Sequence, residues 1–134
     1  MNHSDHTLLQ KAIEAQQKAY SPYSGFSVGA AVLTGSKKIY SGCNIENSSY
    51  GLTVCAERVA LFKAVSEGET QMDAIAIVGD SAEPLPPCGA CRQVMAEFNP
   101  NMRVLMAGRD HQITISSLAE LYPNPFLPEK LEKK

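Results

Sequence analysis

An alternating run from Met72 to Gly79 and a further strand pattern from Met102 to Ala107 flank a helical stretch from Cys88 to Phe98. A strand, a helix and a second strand in that order form a crossover whose strands must run parallel, and parallel pairs are covered by helices. This unit restricts the chain to α/β architectures. The remaining elements can be read around it. Leu8, Leu9, Ala12, Ile13, Ala15, Ala19 and Tyr20 recur near helical spacing until Pro22 forbids continuation, which predicts an amphipathic N-terminal helix. Ser27 to Thr34 and Lys38 to Ile45 flank Gly35-Ser36 as a hairpin. A helical pattern resumes from Thr53 through Val59, Ala60, Phe62, Ala64 and Val65, with Gly68 as its stop. Pro84, Pro86 and Pro87 break the chain before the Cys88 helix. The short link Gly108-Arg109-Asp110-His111 makes Gln112 to Ile115 an antiparallel neighbour of the preceding strand, and Ser117-Leu118-Ala119-Glu120 has capping-box spacing before a short helix. The prediction is a three-layer α/β/α sandwich with a mixed five-stranded sheet.

At 134 residues the chain is expected to form one domain, residues 1–134, with a core large enough to need no disulfide staples. Its four cysteines are therefore available for other work. No apolar run approaches the roughly 20 residues of a membrane span, and the polar start, including His3 and His6, reads as a tail without a secretory signal. A cytoplasmic location is expected, where closely spaced thiols bind metal or do chemistry. The net charge of -2 argues against an electrostatic grip on nucleic acid or anionic membranes, leaving a small molecule as the expected partner.

Three cysteines fall at predicted helix starts: Cys55, and the pair in Pro87-Cys88-Gly89-Ala90-Cys91. Positions three apart share a helix face, so Cys88 and Cys91 can point at one atom. Helix N-termini favour thiolates, and the 33 residues from Cys55 to Cys88 suffice to return a second helix start to the same sheet edge. A C-x-x-C pair alone fits a redox dithiol or buried apolar cysteines equally well; the third thiol favours a metal. Cys43 reads as a core residue, with a fourth ligand in a closed structural site as the alternative. Three ligands leave one position open, as in catalytic zinc sites. Glu57 is the candidate proton carrier, although positions i and i+2 of a regular helix diverge by about 200°. Its plainer role is a first-turn carboxylate complementing the helix dipole.

Cys55-Ala56-Glu57 followed by Pro87-Cys88-Gly89-Ala90-Cys91 resembles the signature of the cytidine deaminase superfamily, with cysteine in place of the common histidine. The resemblance is closest to the small, all-cysteine, tetrameric nucleoside deaminases. It extends over Tyr20 to Phe26, Gly42 to Asn47, Cys55 to Arg58, Pro87 to Gln93 and Phe126. It implies one zinc per subunit on Cys55, Cys88 and Cys91, and hydrolytic deamination of cytidine and deoxycytidine in pyrimidine salvage. Glu57 would carry protons to ring nitrogen 3 and to the departing ammonia. Asn44 and Glu46 would bind the ribose hydroxyls, Phe26 would line the pocket, and Ala56 would offer backbone contacts to the base. Tyr50 and Phe126 would reach a neighbouring subunit's site in a homotetramer, although Tyr122 stands where the family usually has leucine.

The plainer readings are polar residues on an exposed strand for Asn44 and Glu46, and core aromatics for Phe26 and Phe126. Three thiolates and zinc sum to -3 + 2 = -1, which should make bound water less acidic. Arg58 and Arg92 follow the ligand motifs, and one or both are expected to donate hydrogen bonds to the thiolates. Other functional classes are a deaminase of a modified cytosine nucleoside such as blasticidin S, against which the sugar-side motif argues, and a non-catalytic zinc module. A polynucleotide deaminase is disfavoured because the chain lacks a basic, aromatic-lined groove.

Overall fold

The computed structural model describes residues 1–131. Its elements are α1 (His3–Gln16), β1 (Val28–Thr34), β2 (Ile39–Cys43), a 3-10 turn at Tyr50–Leu52, α2 (Ala56–Ser66), β3 (Met72–Gly79), α3 (Gly89–Phe98), β4 (Arg103–Ala107), β5 (Ile113–Ser117), α4 (Leu118–Leu121) and a 3-10 turn at Pro128–Lys130. The five strands form one sheet in the order β2-β1-β3-β4-β5. The β3–β4 pair is parallel, joined through α3, while β1–β2, β1–β3 and β4–β5 are antiparallel. The mixed five-stranded α/β sheet expected from the crossover is therefore present.

The two faces of the sheet follow from period-two alternation along β3. Ala74, Ala76 and Val78 face α1 and pack with Leu8, Leu9, Ala12, Leu105 and Ala107. Ile75 and Ile77 face the opposite way, into a larger core with Val28, Ala30, Val32, Ala60, Leu61, Met95 and Val104. That second layer contains α2 and α3, whose N-termini carry the cysteines.

The N-terminal helix departs from the sequence reading at both ends. It begins at His3, because the Asn2 side chain accepts from the Asp5 backbone N–H at 2.8 Å and Asp5 returns a bond to the Asn2 N–H, so His3 and His6 are helical residues and not part of a tail. It ends at Gln16, four residues before Tyr20. There the backbone turns to pair with the far end of the hairpin: the Tyr20 N–H donates to the Asn44 carbonyl at 3.0 Å and the Glu46 N–H to the Tyr20 carbonyl at 2.9 Å. A tertiary bridge has taken residues whose spacing suited a helix. At the other boundary, Gly68 adopts φ +92°, the left-handed conformation that ends α2 and that side chains rarely adopt.

Candidate metal centre and adjoining pocket

The N-termini of α2 and α3 meet at one edge of the sheet. Cys55 is the N-cap of α2 and Cys88 the N-cap of α3, both in extended backbone conformations, and Cys91 lies in the first turn of α3. The Cys88 Sγ accepts from the Cys91 backbone N–H at 3.4 Å. The Cys55 and Cys88 sulfurs are 3.6 Å apart and those of Cys88 and Cys91 3.2 Å apart. All three lie within 4.8 Å of one another. A tetrahedral zinc with bonds of about 2.3 Å places its sulfur ligands about 3.8 Å apart, so the donor set fits that ion in kind and in span. Three donors would leave one position of such a centre open.

Glu57 is 4 % exposed and lines the same pocket as Cys55, Ala56 and Cys88. The difficulty of an i, i+2 pair disappears because Cys55 is a cap outside the helical dihedrals, so the helical wheel does not apply to it. Burial pushes the Glu57 carboxyl above the usual carboxylate range, and the negative charge of Cys55 adds to the effect. A carboxyl so placed takes up a proton more readily than an exposed one.

The thiols themselves form a coupled set. The hydrogen bond to Cys91 brings Cys55 down to about 5, with further help from Arg58 and Cys88. Cys91 is pushed up by the same bond to Cys55, then by burial. Arg58 donates through Nη2 to the Cys55 Sγ at 3.5 Å, and this bond raises its own affinity for a proton. Its Nε is buried without a hydrogen-bond partner. A guanidinium with one buried, unsatisfied donor fits a site that gathers negative charge on metal binding. Arg92 faces elsewhere: Nε donates to the Pro87 carbonyl at 2.8 Å and Nη1 to the Leu121 carbonyl at 2.6 Å. Its guanidinium is taken up by main-chain oxygens, so of the two arginines Arg58 is the one that donates to a thiol.

Cys43 is neither a core residue nor close to the other thiols. It is half-buried, its Sγ donates to the Lys18 carbonyl at 3.4 Å, and it lines a separate pocket with Lys11, Lys18 and Lys63. β2 is the edge strand at this end of the sheet, which leaves Cys43 at the margin of the fold.

The pocket beside the thiols has a volume of about 190 Å³ and is also lined by Val28, Asn44, Thr53, Leu85 and Pro86. Thr53 joins it to an outer cavity of about 390 Å³ bordered by Tyr23, Ser24, Glu46 and Tyr50. Asn44 spends half its bonding capacity on the scaffold: Oδ1 accepts from the Val28 N–H at 2.9 Å and Nδ2 donates to the Phe26 carbonyl at 2.8 Å. One N–H and one lone pair remain for a ligand. Glu46 accepts the backbone N–H groups of Tyr23 and Ser24 at 2.9 and 3.1 Å, and the Ser24 hydroxyl as well. These donors, the hydroxyl foremost, hold its carboxyl below the usual range. Glu46 thus stays ionised and keeps accepting capacity.

Ala56 is fully buried and lines the inner pocket. Phe26 is half-buried against the larger core and does not line it. Tyr50 is 75 % exposed and meets Tyr23 edge-on, with ring centroids 5.9 Å apart. Phe126 is 62 % exposed and borders neither cavity. Thr53, Leu85 and Pro86 were not singled out from sequence. The proline run around Leu85 was readable as a chain break, and a stiff loop entering a helix N-terminus is a natural pocket wall.

Fold and site together define a zinc-binding α/β protein with three thiolate ligands and a buried carboxylate at paired helix N-termini. The chain belongs to the family whose model is described as the cytidine and deoxycytidylate deaminase zinc-binding region, which matches residues 2–107. It is 50 % identical over 125 residues to a cytidine deaminase of Halalkalibacterium halodurans, covering 92 % of this chain and 95 % of that protein. A cytidine deaminase of Sporosarcina psychrophila is 49 % identical over 125 residues, covering 92 % of each chain. Among solved structures, the cytidine deaminase of Burkholderia pseudomallei superposes with a TM-score of 0.88 at 46 % identity, covering 94 % of this chain and 100 % of that one.

Proposed function

We propose that the chain is a zinc-dependent hydrolase that deaminates free cytidine and deoxycytidine to uridine and deoxyuridine, releasing ammonia, and serves pyrimidine salvage. The observation that carries this reading is the meeting of three thiols within 4.8 Å of one another with a carboxylate, Glu57, buried in the same pocket. Cys55, Cys88 and Cys91 would hold zinc, which would supply the Lewis acidity that makes water nucleophilic near neutral pH.

Glu57 accepts one proton of the attacking water and passes it to ring nitrogen 3, then moves that water's second proton to the amine leaving carbon 4 as ammonia. Its burial supports the role, since a carboxyl of raised proton affinity can work in both directions. Ala56 contacts the base through its backbone. Asn44 and Glu46 take the sugar hydroxyls with the bonding capacity that the scaffold leaves over, which favours an ordinary nucleoside. Phe26 acts on the nucleoside site through its carbonyl, which accepts from Asn44 Nδ2 and so orients that amide. Arg58 offsets the surplus negative charge of the three thiolates.

The working form is a homotetramer in which Tyr50 and Phe126 complete a neighbouring subunit's site. The exposure of both rings supports this. No helix among the described residues is long and apolar enough to cross a membrane, and the free thiols support a cytoplasmic location. The test follows the loss of cytidine absorbance alongside zinc content per chain. One zinc per chain with turnover is expected, and Glu57→Gln should keep the zinc while losing about 10²–10⁴ in rate. A zinc-loaded chain inert toward cytidine and deoxycytidine but active on blasticidin S would transfer the reading to modified nucleosides, and one inert toward all three would leave a non-catalytic zinc module.

A further inference from the structure

The segment from Leu121 to Phe126 is fastened to the start of α3 by side chains. Arg92 ties the Leu121 carbonyl to the Pro87 carbonyl, one residue before Cys88. Gln93 then bridges the rest: its Nε2 donates to the Phe126 carbonyl at 2.7 Å, and its Oε1 accepts from the Tyr122 hydroxyl at 2.5 Å. A carbonyl can only accept, so the amide must turn its NH₂ toward Phe126 and its oxygen toward the phenol. The side chain is held at both ends.

Backbone restraint adds to this. Asn124 has φ +53° between Pro123 and Pro125, and Leu127 is buried in the larger core directly after Phe126. Phe126 itself stays 62 % exposed. An exposed aromatic ring on backbone held this firmly is preorganised for a partner surface, since its ordering is complete before contact.

We infer that Tyr122 is a positioning residue for substrate binding: through Gln93 it sets where Phe126 stands, while remaining outside the thiol set and the Glu57 pocket. The inference rests on the reading that Phe126 reaches the nucleoside in a neighbouring subunit. The task needs the phenol, because only a donor can meet the Gln93 oxygen.

The test is steady-state kinetics on cytidine, with melting midpoint and zinc content, for Tyr122→Phe, Gln93→Met, the double variant and Phe126→Ala. Tyr122→Phe keeps the ring packed against the core and removes only the hydroxyl. Its KM should rise about 3- to 10-fold, the worth of one neutral hydrogen bond, with kcat within about twofold, zinc unchanged and the melting midpoint lowered by no more than a few degrees. Gln93→Met should move KM in the same direction, and the double variant should be no worse than the worse single one, because both cut the same relay. Phe126→Ala should raise KM at least as much. If Phe126→Ala raises KM and Tyr122→Phe does not, the positioning role is overturned and the neighbour-site reading stands. If Phe126→Ala leaves KM unchanged, that reading fails and the inference falls with it. A lowered melting midpoint with unchanged KM for Tyr122→Phe would reduce the phenol to a stabilising contact and overturn the proposal.

Discussion

The guanidinium of Arg58 lies 3.5 Å from the Sγ of Cys55, three residues earlier across the start of α2, with its Nε buried and without a partner. A cation held against a thiolate lowers the cost of gathering three such charges on one ion. Arg58→Gln should therefore weaken zinc retention by about 10- to 100-fold, the usual size of an outer-shell effect on metal affinity. Zinc remaining on the protein after equilibration with graded chelator measures it. Retention equal to that of the unaltered chain would remove Arg58 from the metal's support.

Cys43→Ser should leave zinc content and turnover unchanged. The Cys43 Sγ is engaged with the Lys18 carbonyl, and the thiol set among the described residues is Cys55, Cys88 and Cys91. Metal analysis of the purified variant decides the point: loss of zinc would make Cys43 a fourth ligand and the centre a closed, structural one.

Asp5 and Arg103 join the first turn of α1 to β4 through two parallel bonds of 2.8 and 2.9 Å, with Asp5 buried. The Arg103 bond holds the Asp5 carboxyl below its ordinary value. A depressed folded-state pKa contributes stability above the unfolded value of about 3.9, and that contribution is lost as pH falls through the folded value. Asp5→Asn should cost about 1–2 kcal/mol near neutral pH, combining a weakened cap with a broken pair. The difference between the two proteins should shrink toward zero in acid. Urea midpoints across a pH series read it, and a gap independent of pH would assign the effect to packing.

Gly29 lies where α1 crosses β1 most closely. A Cβ there would stand 2.0 Å from the Ala12 carbonyl oxygen and 2.5 Å from the Gln16 nitrogen, both main-chain atoms. Main chain inside a helix cannot step aside as a flexible side chain can, so Gly29→Ala must lift α1 from the sheet. Thermal or chemical denaturation should show a loss of about 3 kcal/mol or more.

The parallel β3–β4 pair was readable because a crossover through a helix permits no other sense, and β3 itself because a short apolar run, interrupted only by Asp73, extends from Met72 to Gly79, as a strand covered on both faces requires. The limits of α1 were not readable. Spacing alone allows the helix to run on to Tyr20, and only the bridge from Tyr20 to Ile45 shows where the chain leaves it. The pairing of Cys88 and Cys91 follows from their spacing as cap and third residue of a helix start, yet the access of Glu57 to the same pocket depends on Cys55 being a cap as well. For Arg58 and Arg92, adjacency to the ligand motifs carries equal weight in one dimension. In space one meets a sulfur and the other meets two carbonyls, because side-chain direction depends on what packs beside the helix.

The sequence by itself determined the class of sheet, the thiols available to a metal and the carboxylate beside them, because period, capping and ligand spacing are local properties of the chain. The tertiary structure alone decided how much of Asn44 and Glu46 is free for a ligand, why Cys43 lies apart, and what Tyr122 touches. Those answers depend on which donors and acceptors from distant segments meet, and a hydrogen bond between residues 29 apart, such as that from Tyr122 to Gln93, has no signature in the order of the amino acids.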